Sequence, residues 1–131
     1  MTLHRRAFSR LLTAAGIATA VGSAAQAQAK TVEVEMKQGA KMIFDPETVT
    51  INAGDTVSWN NPSFVTHTVT FDPAKAQTAS DVVLPSGVAP FDSGSLEQDQ
   101  TFTHQFTVKG TYKYVCKFHE AMGMVGTVIV K

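Results

Sequence analysis

The chain has 131 residues, of which 44% are hydrophobic and 17% are charged, and its formal net charge is zero. This length predicts one domain, and the composition excludes a disordered chain. The balanced charge and the lack of a basic stripe in the sequence argue against a nucleic-acid partner.

The first 29 residues have the three-part layout of an export signal. Three arginines form a basic start, an alanine-rich apolar run follows, and Ala-x-Ala spacing closes the segment at Ala27 or Ala29. The apolar run is too short for a convincing membrane span, so we expect no stable membrane insertion. The stretch HRRAFSRLL resembles a twin-arginine signal. An uncleaved amphipathic anchor is the alternative interpretation.

Without this segment the remaining chain has a negative net charge and one unpaired cysteine. Residues 30–131 contain eight lysines and eleven acidic residues, which gives a net charge of −3. Exported proteins often carry disulfides, but Cys116 is the only cysteine and cannot pair within the chain. An unpaired thiol in an exported protein indicates a special role.

Short alternating segments predict strands along the rest of the chain. They lie at Thr31–Met36, at residues 48–61 as strand, turn and strand, at His67–Asp72, at residues 101–108, at Tyr112–Cys116 and from Val125 onward. Within residues 101–108 we expect Phe102, Phe106 and Val108 on one face. Residues 73–90 are rich in proline, alanine, serine and glycine, which indicates a surface excursion with one helical turn around Ala74–Ala79. Seven or eight such strands predict an all-β, antiparallel β-sandwich.

Four metal-binding side chains concentrate around two of these strands. Cys116, His119 and Met124 stand in C-x2-H-x4-M spacing after a strand, and His67 stands at the start of another. In a sandwich the ends of distant strands meet at one pole, so these donors can converge. A thiolate, two imidazoles and a thioether suit copper in an electron-transfer centre.

Two other chemistries compete with copper. Zinc accepts cysteine and histidine but not ordinarily methionine, so Met124 argues against it. A nucleophilic Cys–His pair needs an orienting group, and Glu120 is the one candidate within the motif. We therefore expect that the chain is not an enzyme.

Two further side chains need an assignment. Met122 lies close to the motif, but Gly123 lets the chain turn just before Met124, so we expect Met122 on the surface as part of an apolar rim. His104 lies in the middle of a predicted strand, and we expect a partly buried, hydrogen-bonded side chain there instead of a ligand.

At this point the residues resemble the plastocyanin-type cupredoxins. The resemblance rests on FDPETVTI, AGDTVSWNN, THTVTFD and GTYKYVCKFHEAMGMVGTVIV, and the portion HEAMGM is also similar to pseudoazurins. It implies a Greek-key β-sandwich with one type 1 copper ion held by His67, Cys116, His119 and Met124. His119 would be the electron port, within an apolar docking patch formed by Pro62, Phe64, Ala121 and Met122.

Three positions depart from the family pattern. Thr68 stands where the family commonly has an asparagine that ties the two ligand loops together, and its hydroxyl could do the same. Val115 replaces a tyrosine that is usual in photosynthetic members, and Glu120 replaces a residue that is often basic in cyanobacterial ones. These changes leave the copper site intact and argue against photosynthetic partners.

We therefore expect an export signal at residues 1–29, from its three-part layout, and the resemblance implies a plastocyanin-like copper domain at residues 30–131. We expect an exported monomer that carries single electrons between redox proteins, such as a cytochrome or an oxidoreductase. We expect it in the periplasm, or in the thylakoid lumen of a photosynthetic organism. A carrier that delivers copper instead of electrons is the alternative.

Overall fold

The structure, a computed structural model, describes Gly16 and residues 28–131. The predicted export signal at residues 1–29 therefore lies almost wholly outside the described residues and stays a prediction. Within the described part of the chain, no helix has the length and hydrophobicity that a membrane crossing requires.

Nine strands of the described chain form two sheets that pack face to face. Their bounds are β1 Thr31–Gln38, β2 Met42–Asp45, β3 Thr48–Ile51, β4 Thr56–Asn60, β5 Thr70–Phe71, β6 Phe91–Asp92, β7 Thr101–Gln105, β8 Gly110–Val115 and β9 Val125–Val130. One sheet has the order β2-β1-β4-β7 and the other has the order β3-β9-β8-β5-β6. The predicted all-β sandwich is confirmed.

Both sheets are mixed, whereas we expected antiparallel pairs alone. The chain passes from β2 in one sheet to β3 in the other and back to β4, so strands that are distant in sequence become neighbours. As a result β1 runs parallel to β4, and β3 runs parallel to β9. The remaining pairs, including the long β8–β9 hairpin, are antiparallel.

Aromatic side chains fill the space between the sheets. Trp59 on β4 is fully buried and its ring centre lies 5.5 Å from that of Tyr114 on β8 and 5.8 Å from that of Phe71 on β5. The indole Nε1 of Trp59 donates a hydrogen bond of 2.9 Å to the Tyr114 hydroxyl. Because a buried indole N–H needs a partner, this bond joins the two sheets at the centre of the core.

Some sequence predictions differ from the structure in detail. The predicted strand His67–Asp72 is reduced to β5 and an isolated bridge between His67 and Leu96, because His67 is held by a loop and not by a continuous ladder. Val108 is 42% exposed and does not share the buried face with Phe106, because β7 ends at Gln105. The helical turn of the excursion lies at Ala79–Asp81, later than we expected.

The closest packing in the core predicts a large effect at Gly126. A Cβ atom added to Gly126 would lie 2.3 Å from Cζ of the fully buried Tyr114 ring. We expect Gly126→Ala to lower the free energy of unfolding of the metal-free protein by roughly 1–3 kcal/mol, the usual cost of overpacking a core. Urea denaturation measures this change.

Gly39→Ala is the matched control for this substitution. A Cβ atom at exposed Gly39 would meet one backbone oxygen at 3.9 Å, an ordinary contact. Its free energy of unfolding should change by less than about 0.5 kcal/mol. Equal effects of the two substitutions would contradict the packing of Tyr114 on Gly126.

Candidate metal centre

The loop that joins β8 to β9 closes on itself through backbone hydrogen bonds. The N–H of Cys116 donates to the carbonyl of Met124 at 3.1 Å, and the N–H of Met124 donates to the carbonyl of His119 at 3.2 Å. A short 3-10 turn at Glu120–Met122 ends at Gly123, which has a φ of 85°. This left-handed conformation favours glycine. The loop thus holds Cys116, His119 and Met124 next to one another.

Thr68 ties this loop to the segment that carries His67. The N–H of Thr68 points at Cys116 Sγ at 3.4 Å, and the N–H of Lys117 donates to Thr68 Oγ1 at 2.9 Å. Both Thr68 and Cys116 are fully buried. The expectation that the Thr68 hydroxyl ties the two loops together is confirmed.

Three of the four predicted ligands present donor atoms to one point. Donor atoms of His67, Cys116 and His119 all lie within 4.8 Å of one another. The Sγ of Cys116 lies 3.7 Å from Nδ1 of His67 and 3.4 Å from Nδ1 of His119. His67 and Cys116 are fully buried, and His119 is half-buried. The expected convergence of a distant histidine on the loop is confirmed.

Met124 and Met122 lie on opposite sides of the boundary between core and surface. Met124 is fully buried and belongs to the same core cluster as Cys116. Met122 is 54% exposed, as the apolar-rim hypothesis requires. Met124 is therefore the thioether that accompanies the three converging donors, and its role as a ligand stays a prediction.

Burial keeps both histidines of this cluster uncharged at neutral pH. Burial, with a smaller contribution from the neighbouring His119, lowers the pKa of His67 to about 4. Burial also lowers the pKa of His119 below its ordinary value. Neutral imidazoles keep a free nitrogen lone pair for a metal. The donor set of one thiol, two neutral imidazoles and one thioether fits copper better than zinc.

His104 stands apart from this cluster. Its ring stacks on Phe91 with 3.8 Å between ring centres, and it is half-buried, as we expected. The expected hydrogen bond to its ring is not found among residues 28–131, where the stacking on Phe91 is instead the main contact of the imidazole face. His104 is no part of the donor group.

Glu120 is engaged elsewhere and does not orient His119. Its buried carboxylate accepts hydrogen bonds from the backbone N–H groups of Gln77 at 2.6 Å and Thr78 at 2.9 Å. The side chain of Gln77 in turn donates to the carbonyl of Lys117 at 2.9 Å. Glu120 therefore fastens the surface excursion to the ligand loop, which argues against a Cys–His nucleophile that Glu120 would orient.

Sequence reasoning missed two polar residues that support His67. Ser63 Oγ lies 3.2 Å from Nε2 of His67, and Asn61 binds Ser63 in turn. Both are buried. The signal that could have found them is the stretch NNPS, four polar or turn-forming residues that directly follow a buried strand and precede a candidate ligand.

An apolar rim lies on the surface next to the site. Pro62, Phe64, Ala121 and Met122 are all exposed, as the predicted docking patch requires. Phe64 is 86% exposed, an unusual value for a phenylalanine, and Phe118, which the sequence analysis did not include, is 48% exposed. Exposed large apolar side chains close in sequence to His67 and His119 are consistent with an interaction surface at this end of the fold.

Comparisons with known proteins agree with this arrangement. Residues 30–131 match the family model of copper binding proteins of the plastocyanin/azurin family. The chain is 36% identical over 130 residues to a chloroplastic plastocyanin of Tetradesmus obliquus, which covers 93% of this chain and 81% of the relative. It is 34% identical over 105 residues to a plastocyanin of a Synechococcus strain, with 79% of this chain and 76% of the relative covered.

A solved structure shares the fold. A reduced amicyanin variant has a TM-score of 0.58 and 30% sequence identity, over 77% of this chain and 82% of the amicyanin. A purple cupredoxin from Nitrosopumilus maritimus has a TM-score of 0.56 and 25% identity, over 76% of this chain and 98% of the cupredoxin.

The contacts of Glu120 predict a role in stability. Glu120→Ala removes a charged acceptor from two backbone N–H groups, so we expect the free energy of unfolding of the metal-free protein to fall by about 1–3 kcal/mol. Amide hydrogen exchange at Gln77 and Thr78 should accelerate as well. Glu97→Ala, which removes one exposed hydrogen bond to Thr66, is the control and should have little effect. Unchanged exchange at Gln77 and Thr78 would contradict this assignment.

The lowered pKa of His67 predicts a pH-dependent stability of the metal-free protein. Between pH 6.5 and about 4 the unfolded chain binds a proton at this histidine and the folded chain does not, so stability must fall as the pH is lowered through that window. The loss due to His67 should reach roughly 3 kcal/mol at most. Urea denaturation at a series of pH values measures it. His67→Gln should make the slope shallower, and an unchanged slope would contradict the burial of a neutral His67.

Proposed function

The chain belongs to the plastocyanin/azurin family of copper-binding proteins, and on this premise we propose that it is a type 1 copper protein that carries single electrons. His67, Cys116, His119 and Met124 would hold the ion. The observation that carries this proposal is the convergence of the Cys116 thiol and two neutral imidazoles within 4.8 Å. A donor set that joins one thiolate and two imidazoles in this way is what a blue-copper centre requires.

The residues of this chain would keep that donor set fixed. Copper bound there would supply a one-electron couple between Cu(II) and Cu(I). The N–H of Thr68 faces the Cys116 sulfur and would stabilise negative charge on it, because hydrogen bonds to a ligating sulfur tune a metal site. The hydrogen bonds that close the ligand loop leave its donors little freedom to move when the charge changes.

His119 would provide the route to a partner. It is the half-buried member of the cluster, whereas His67 and Cys116 are fully buried. The exposed side chains of Phe64 and Met122 belong to the apolar rim beside it. We propose that redox proteins, such as a cytochrome or an oxidoreductase, dock on this rim as donor and acceptor. A small apolar contact suits partners that must bind and leave quickly.

Export is part of the proposal. We propose that residues 1–29 are a signal, of twin-arginine type by the pattern of their arginines, and that residues 30–131 form the copper domain. The basic start, the apolar run and the Ala-x-Ala spacing support this division. We propose a periplasmic monomer, with the thylakoid lumen as the alternative in a photosynthetic organism.

Electron transfer is favoured over two other functions. A copper-delivering carrier would expose several methionines, but of the four methionines within residues 28–131 Met36 and Met124 are fully buried and Met122 alone is exposed. An enzyme would need an orienting group beside His119, and Glu120 is committed to the backbone of Gln77 and Thr78.

Optical spectroscopy of the copper-loaded protein tests this function. We expect an intense visible charge-transfer band in the oxidised protein, because a cysteine thiolate binds the copper directly. Cys116→Ser should abolish the band. Met122→Leu, a substitution on the exposed rim, is the matched control and should leave the band unchanged. A colourless wild-type protein with one copper per chain, or a band that survives Cys116→Ser, would contradict the proposal.

A further inference from the structure

A network of buried polar groups lies next to Nε2 of His67, on the side of the ring that faces away from Cys116. Nε2 of His67 lies 3.2 Å from Ser63 Oγ, and Ser63 Oγ lies 2.7 Å from Oδ1 of Asn61. Asn61 is fully buried and Ser63 is 8% exposed. Buried polar groups cost free energy unless they are hydrogen-bonded, so each proton in this hydrogen-bond network must have a defined place.

The orientation of the Asn61 amide is fixed by three contacts. Its Nδ2 donates to the carbonyl of Val65 at 2.8 Å and to the carbonyl of Leu96 at 2.9 Å. Its Oδ1 accepts from the N–H of Ser63 at 3.0 Å. Rotation of the amide by 180° would place an oxygen against two carbonyl oxygens and an NH2 group against an N–H. The assignment of oxygen and nitrogen in Asn61 therefore has one solution.

The hydroxyl proton of Ser63 follows from this orientation. Two oxygens 2.7 Å apart repel unless a proton lies between them, and Oδ1 of Asn61 has none to give. The carbonyl of Val65 lies farther from the hydroxyl, at 3.1 Å, so Ser63 donates its proton to Asn61. Its remaining lone pairs accept from the N–H of Val65 at 3.2 Å and face Nε2 of His67 at 3.2 Å. An acceptor at that position requires a proton on Nε2.

We propose that Asn61 and Ser63 are positioning residues that place the proton of His67 on Nε2 and so leave the lone pair of Nδ1 for the metal. This inference rests on the proposed role of His67 as a ligand. It agrees with the geometry on the other side of the ring, where Nδ1 is the nitrogen that lies 3.7 Å from Cys116 Sγ.

Asn61 also fixes the backbone that carries the ring. The carbonyl of Leu96 accepts from Nδ2 of Asn61 and from the N–H of His67 at 3.1 Å, and the N–H of Leu96 donates to the carbonyl of His67 at 2.8 Å. One buried asparagine thus orients both the main chain and, through Ser63, the side chain of the same histidine. Outer partners of this kind commonly change metal affinity by 10–100-fold when they are removed.

Nitrogen NMR of the Cu(I)-loaded wild-type protein, which is diamagnetic, tests the proton position directly. We expect a slowly exchanging proton on Nε2 of His67 and none on Nδ1. A proton on Nδ1, with Nε2 bare or bound to the metal, would overturn the proposal. This measurement needs no variant and does not depend on electron transfer. A protein that lacks the visible band but has the proton on Nε2 would therefore contradict the proposed function and leave the role of Asn61 and Ser63 standing.

Two variants of Ser63 and one control variant test the role of its hydroxyl. Ser63→Ala should accelerate exchange of the Nε2 proton and speed the loss of Cu(I) to a chromophoric chelator by about 10-fold. Ser63→Thr retains the hydroxyl and should restore both values toward the wild type. Thr66→Val removes a hydroxyl in the same loop that binds Glu97 at the surface, and it should leave both unchanged. Equal exchange and equal copper loss in wild type and Ser63→Ala would overturn the role of Ser63.

Discussion

The metal centre depends on the contact of Thr68 with the loop that begins at Cys116. Two hydrogen bonds, from the N–H of Thr68 to the sulfur and from the N–H of Lys117 to the Thr68 hydroxyl, join segments that lie 48 and 49 residues apart in the chain. The pairing of Thr70 on β5 with Val115 on β8 brings the two segments side by side, and these bonds fix His67 and Cys116 relative to each other. Because the first bond is buried and the second is partly buried, breaking them leaves polar groups unpaired, so the structure favours the arrangement that brings the donors together.

The core beneath the site makes this contact possible. Trp59 and Tyr114 lie on different sheets and are joined by one hydrogen bond, and Tyr114 packs directly on the backbone at Gly126. Tyr114 stands two residues before Cys116, and Gly126 stands two residues after Met124. This tightly packed part of the core thus ends where the ligand loop begins. Close-packed interiors have low compressibility, so the two ends of the loop are held at a fixed separation.

Features that depend on the spacing of residues close together in sequence could be predicted from the sequence. The C-x2-H-x4-M motif, the turn at Gly123 and the exposed position of Met122 were all predicted, because short-range spacing in a hairpin determines them. The parallel pairs β1–β4 and β3–β9 were not predicted, because alternation gives the faces of a strand and not its neighbours. The parts played by Asn61 and Ser63 were also missed. The stretch NNPS marks them as polar residues near a candidate ligand, but their function comes from hydrogen bonds to Leu96 and His67, and local sequence does not reveal those partners.

The central claim is that the fold brings these donors together and that one copper ion binds among them. X-ray absorption spectroscopy at the copper edge, on protein loaded with one copper per chain, tests this claim most directly. We expect one sulfur and two imidazole nitrogens in the nearest shell, in both the oxidised and the reduced protein. A nearest shell without sulfur, or one whose membership changes when the copper is reduced, would contradict it.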